Sequence, residues 1–185
     1  MVIAPLLGPN VALSFATTLG DLPLALRAIK INSLGILLVF IVFIWSFLLH
    51  VTPDMSGISS RISIALSDIV IALAAGSAGT LAFTTGAPAA LIGVMVAVAL
   101  LPPLIVFGLL CRSGFFAAGL GVFLVFLTNI ICINLAGIVT FLLNGVRPLT
   151  WWESQHAQQF IRKAIALWGL MLVILIVLIV VSQHR

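Results

Sequence analysis

Residues 34–51 read LGILLVFIVFIWSFLLHV, a run without one charged side chain. Segments of this kind recur along the chain, and a soluble core could not enclose them all. A helix that crosses the hydrocarbon layer of a membrane needs about 20 such residues in succession. Six stretches qualify: 1–20, 33–51, 62–85, 88–111, 115–143 and 163–182. Of the 185 residues, 63% are hydrophobic and 6% charged, against about 25% charged in an ordinary soluble domain. So few charges cannot cover a water-facing surface, which excludes a soluble enzyme, a disordered tail and a nucleic-acid binder. The expected fold is all-α: a polytopic membrane helix bundle of about six spans. It forms a single transmembrane domain over 1–185, embedded multi-pass in the cell (inner) membrane with the lipid bilayer as its first partner.

The breaks between spans carry turn and interface signals. GDLPLALRAIKIN, TPDMSGISSR, TTGAPAA and RSG combine Pro, Gly or polar residues. The longest, NGVRPLTWWESQHAQQFIRK, places Trp151 and Trp152 where a helix lying in the interface would hold them at headgroup depth. Residues 1–20 lack a basic leader and contain Pro5, Gly8 and Pro9, so they do not read as a cleaved signal. Arg27, Lys30, Arg147, Arg162 and Lys163 follow spans one, three and five, whereas Arg61, Arg112 and Arg185 fall on the other face. The positive-inside rule then puts the first set in the cytoplasm and both termini outside. Cys111 and Cys132 form no Cys-x-x-Cys pair, and His50, His156 and His184 sit at segment ends. No metal, disulfide or cofactor is expected.

The chain also resembles itself. Met1, Val2, Leu6, Leu7 and Pro9 align with Met95, Val96, Leu100, Leu101 and Pro103, and Gly20 aligns with Gly114. Leu34-Gly35 and Leu38-Val39-Phe40 match Leu120-Gly121 and Leu124-Val125-Phe126, and Arg61-x-x-Ile64-Ala65-Leu66 matches Arg162-x-x-Ile165-Ala166-Leu167. Three matches in the same order predict two three-helix repeats, 1–85 and 88–182. Because three is odd, the copies would lie in opposite orientations, as in many secondary transporters. The second copy has residues ahead of Met95 with no counterpart ahead of Met1, so the chain is expected to be shortened at its N-terminus.

Chemistry-bearing residues are few. Pro5, Gly8 and Pro9 in one copy and Pro102 and Pro103 in the other predict two Pro-broken helices, whose freed carbonyls need a partner or a water-lined cavity. Asp68 is the one carboxylate well inside an apolar run, with Ala72, Ala75 and Gly79 as a stripe of small residues at helical spacing. An acid at that depth serves as a proton acceptor or cation ligand, or else makes a structural hydrogen bond or a helix-dipole contact. Asn129 heads a second stripe with Cys132, Ala136 and Thr140, Asn134 lies on an adjacent face, and Asn10 directly follows the first broken helix. Amides within membranes join helices more often than they bind ligands. The last span has almost nothing polar and should face lipid. Gly-x-Ser-x-Gly, His-Glu-x-x-His and phosphate-loop patterns are absent, so no enzymatic activity is expected.

Three blocks, MVIAPLLGP, SDIVIALAAGSAGTLAFTTGAPAALIGVMVAVALLPP and FLTNIICINLAGIVTFLLNGVRP, closely resemble the prokaryotic membrane family of the domain of unknown function 389 over about 1–150. The resemblance implies an integral membrane protein with no established activity, in which a helix and a soluble segment generally precede the part beginning at Met1. The family's pattern falls on Pro5, Gly8, Pro9, Asp68, Gly76, Gly79, Pro102, Pro103 and Asn129, without assigning them roles. The expected function is that of a transporter or channel-like protein for a small solute, ion or proton, with a midplane site between the two broken helices; a homo-oligomer is compatible with it. The alternative is a membrane anchor or sensor for a missing N-terminal soluble domain.

Overall fold

The computed structural model describes residues 7–45, 66–86, 89–146 and 151–183. These form six helices: α1 (Leu7–Leu19), α2 (Leu22–Trp45), α3 (Leu66–Thr84), α4 (Ala89–Arg112), α5 (Phe116–Leu143) and α6 (Trp151–Gln183). Pro5, Arg61 and Arg147 lie outside the described residues, as does most of the loop predicted between the second and third spans.

The same device ends three of the helices. Gly20, Gly114 and Gly145 have φ of 73°, 84° and 75°, a left-handed conformation that costs glycine nothing because it has no Cβ. The reversal turns the next amide back onto the helix end: Asp21, Phe115 and Val146 donate to the carbonyls of Ala16, Leu110 and Phe141 at 2.9, 2.9 and 3.1 Å. After Gly20 the chain restarts at once, because the Asp21 carboxylate accepts from the Leu24 amide at 3.0 Å and caps α2.

Contacts fix the directions of the helices. Asn10 meets Asn32 across the Gly20 turn, so α1 and α2 form an antiparallel hairpin. Phe107 and Phe123 stack at 4.9 Å on either side of the Gly114 turn, so α4 and α5 form another. Asn10 bonds Asn134 and Phe15 packs on Phe141, which makes α1 parallel to α5. The Cβ position of Gly76 lies against Ile133 and Ala136 while Phe83 packs on Phe141, so α3 is also parallel to α5. Gly20 abuts Ala157 at the start of α6, and Phe160 packs against the cluster of Leu13 and Ala16; α6 therefore runs the other way. The helices alternate in direction, with α5 at the centre against α1, α3, α4 and α6.

Of the six expected spans, α5 and α6 are long and apolar enough to cross a membrane, over Phe116–Leu143 and Ala157–Val181. That count is taken over the described residues alone. The 13 residues described for α1 reach about 20 Å at about 1.5 Å per residue. Arg27 and Lys30 occupy the first half of α2. The apolar parts of α3 and α4 found among the described residues are the shorter Asp68–Thr84 and Pro102–Arg112. The separate interfacial helix expected at Trp151 is instead the first part of α6, which runs for 33 residues without a break. As expected, the last span turns leucine, isoleucine and valine outward, Leu167, Leu170, Val173, Ile174 and Val177 all being exposed.

The Gly20 turn yields a direct expectation. An added Cβ would lie 2.7 Å from the Ala157 Cα and would also be strained at that φ. Gly20→Ala should cost about 2–4 kcal/mol by combining both effects. At Gly114, where φ is +84° and a Cβ meets nothing within 4 Å, alanine should cost only the backbone term of about 1–2 kcal/mol. Thermal melts of the two variants in one detergent check the ordering.

Candidate functional site

The interior of the bundle holds a set of neutral polar side chains. Asn10, Ser14, Thr17, Thr18, Thr80, Thr128, Asn134 and Thr140 are all buried, and no charged side chain is buried among the described residues. At the centre is Asn134 of α5, fully enclosed. Its Nδ2 donates to Asn10 Oδ1 at 2.8 Å and to the Ile130 carbonyl one turn back at 2.9 Å. Asn10 and half-buried Asn32 exchange amide bonds, Asn10 Nδ2 donating to Asn32 Oδ1 at 3.3 Å and Asn32 Nδ2 returning to Asn10 Oδ1 at 3.4 Å. The Ser14 hydroxyl has three acceptors in reach: the Asn10 carbonyl at 3.1 Å, the Asn134 carbonyl at 3.3 Å and Asn134 Oδ1 at 3.4 Å. One network thus ties α1, α2 and α5 together.

Local sequence explains the placement. Asn10, Ser14 and Thr17 recur every three or four residues and share one stripe of α1, while Asn134, Gly137 and Phe141 do the same on α5. Where the stripes meet, Gly137 lets α1 and α3 approach: a Cβ there would stand 2.7 Å from Ser14 Oγ and 3.3 Å from Thr80 Oγ1. Thr17, Thr18 and Thr80 return their hydroxyls to carbonyls of their own helices at 2.7, 2.8 and 2.9 Å. Such back-bonding lets a hydroxyl lie in an apolar interior without an unmade bond. Beyond Gly137, rings from three helices close the column. Phe15 and Phe83 stand edge-on to Phe141 at centroid distances of 5.4 and 6.4 Å.

The residues singled out from the sequence divide into three groups. Asn10 is in the network. Gly76 and Gly79 are buried on the face of α3 that packs against α5, and a Cβ on Gly76 would lie 2.9 Å from the Ile133 Cα and 3.3 Å from the Cys132 carbonyl oxygen. The Cys132–Ala136 part of the α5 stripe therefore serves close helix packing. The remaining residues lie near a common level. Ile69 and Ala72 cluster with Ile131 and Cys132, so Asp68, exposed in the first turn of α3, is level with Asn129. Leu100 and Leu104 pack on Phe126 and Ile133, which brings Pro102 and Pro103 to the same level on α4. Pro9, buried beside Asn10, is close to that level on α1, and Gly8 is exposed.

One expectation changes. The helix α4 continues through Pro102 and Pro103, so no break occurs there, although the carbonyls of Val98 and Ala99 lose their usual amide partners. Asn134, placed on a face adjacent to the Asn129 stripe, is an amide that reaches α1. Sequence reasoning also missed Ser14 and Asn32. The signal for Ser14 was present in the polar stripe of α1; that for Asn32 was masked by its neighbours Lys30 and Ser33, which make the segment read as surface.

Comparison with known proteins supplies a family and no activity. An uncharacterised protein of the archaeon Methanocaldococcus jannaschii is 42% identical over 183 residues, covering 97% of this chain and 57% of that relative. The chain thus spans a little over half the length of the relative. No solved structure matches it. The family model of the domain of unknown function (DUF389) matches residues 1–135, and the chain belongs to that family.

Proposed function

We propose that this chain is the membrane-embedded part of a transporter or channel-like protein for a small solute or ion, with the buried column around Asn10 and Asn134 as the part that opens. The observation that carries this reading is the column itself. Three amides and several hydroxyls occupy the interior of a strongly apolar bundle, where polar groups are expensive and often mark a pathway. Their neutrality favours a ligand recognised by hydrogen bonds. In this reading the phenyl rings of Phe15, Phe83 and Phe141 form the closed gate. The inverted-repeat idea belongs to the same proposal. Its support is that α1 and α4 run in opposite directions and that the aligned glycines, Gly20 and Gly114, close their helices with identical turns.

Asp68 enters as the acid whose protonation couples proton movement to opening, since it lies at the level of Asn129 and the α4 prolines. The test is purified protein in liposomes, measuring proton flux and permeability to a panel of small neutral and ionic solutes. Wild type should raise at least one flux, and Asp68→Asn should abolish it with helicity and expression intact. A panel with no response would favour the other reading, a membrane anchor or sensor whose amides only join helices.

A further inference from the structure

Four cations converge on one end of the bundle. The α1–α2 turn at Gly20 touches Ala157 of α6, so the first turns of α2 and the beginning of α6 share that end. Arg27 and Lys30 follow the turn on α2; Arg162 and Lys163 follow Ala157 on α6. At about 1.5 Å per residue all four lie within roughly 8–15 Å of that end. All are exposed, and just beyond them both helices become continuously apolar, from Leu34 on α2 and Ala164 on α6. The cations of α2 and α6 therefore lie where the polar end of the bundle meets its apolar girdle.

Their surroundings distinguish them from an ordinary water-facing surface. Exposed Leu26 and Ile29 alternate with Arg27 and Lys30, and exposed Leu167 and Leu170 follow Lys163. Leucines beside cations at a polar–apolar boundary are what a headgroup layer accommodates, the apolar side chains entering acyl chains while the long basic ones reach outward. The acids at this end are Asp21, whose carboxylate is engaged in capping α2, and Glu153 in the first turn of α6, which leaves a positive excess. Among the described residues, the cation at the opposite end is Arg112, in the last turn of α4.

We propose that Arg27, Lys30, Arg162 and Lys163 form a patch that binds the phosphodiester headgroups of anionic phospholipids, seating this end of the bundle in an anionic leaflet. The proposal does not depend on transport. It is tested by native mass spectrometry of the purified chain in detergent, counting bound phosphatidylglycerol against phosphatidylcholine. Wild type should prefer phosphatidylglycerol, and preference should fall about fivefold per cation removed in Arg27→Gln/Lys30→Gln and in Arg162→Gln/Lys163→Gln. Arg112→Gln should retain it, and excess inorganic phosphate should not displace the lipid. Equal binding of the two lipids by wild type, full preference in both double variants, or displacement by free phosphate would each overturn the proposal.

Discussion

Gly76→Val should loosen the bundle by forcing α3 away from α5. A Cβ at Gly76 would stand 2.9 Å from the Cα of Ile133, 3.1 Å from the Ala136 Cβ and 3.3 Å from the Cys132 carbonyl oxygen. Two of these neighbours are backbone of the central helix, which cannot rotate away as a long side chain could. The α3–α5 pair must separate, and the Ile69, Ala72, Ile131 and Cys132 cluster opens with it. Forced overpacking of this kind costs about 1–3 kcal/mol for one added carbon, so alanine should fall in that range and valine at or above its top. Gly169 gives the control, because a Cβ there meets nothing within 4 Å. Gly169→Ala should hold or raise stability by up to about 1 kcal/mol through helix propensity. Denaturant titrations of the three variants in the same micelles measure the series. A Gly76→Val protein as stable as wild type would show that α3 does not pack on α5 in this register.

The residues that decide this packing were partly legible in the sequence. Small residues at Ala72 and Gly79, and at Cys132 and Ala136, announced a close helix contact, because only a surface without bulk permits one, whereas Ala75 of the same stripe is exposed. Gly20 and Gly114 announced helix ends. The interior rotation of α5 was not legible. Asn129 and Asn134 are two amides five residues apart on one helix, and at 3.6 residues per turn they point about 140° apart. Which of them meets α1 depends on how α3 and α4 share the rest of the α5 surface, and that is a tertiary outcome. The prolines were misleading for a related reason. A proline removes one amide and crowds the preceding turn, yet a helix packed along its length can keep its path, as α4 does through Pro102 and Pro103.

The amide network permits an experiment that separates holding the helices together from forming a path. Asn134→Leu should destabilise the protein by about 1–3 kcal/mol. It removes the 2.8 Å donor to Asn10 Oδ1 and the Oδ1 acceptor 3.4 Å from Ser14 Oγ, leaving the main-chain carbonyl, while Asn10 stays buried with its polar atoms less well served. Asn10→Leu should do the same from the other side. Adding both should recover much of the loss, because replacing both partners of a buried hydrogen bond by apolar groups is close to neutral. The expected coupling between the two positions is about 0.6–1.7 kcal/mol, the range found for amide pairs in membrane helices. Asn32 remains half-buried in the double variant and within reach of solvent, so it does not undo the recovery. If the network only joins helices, the double variant regains whatever function the wild type has together with its stability. If Asn10 and Asn134 contact what passes, stability returns and flux does not, because a leucine pair offers neither donor nor acceptor in the column. Flux that recovers with the fold would remove these two amides from the pathway and leave them as a clasp between α1 and α5.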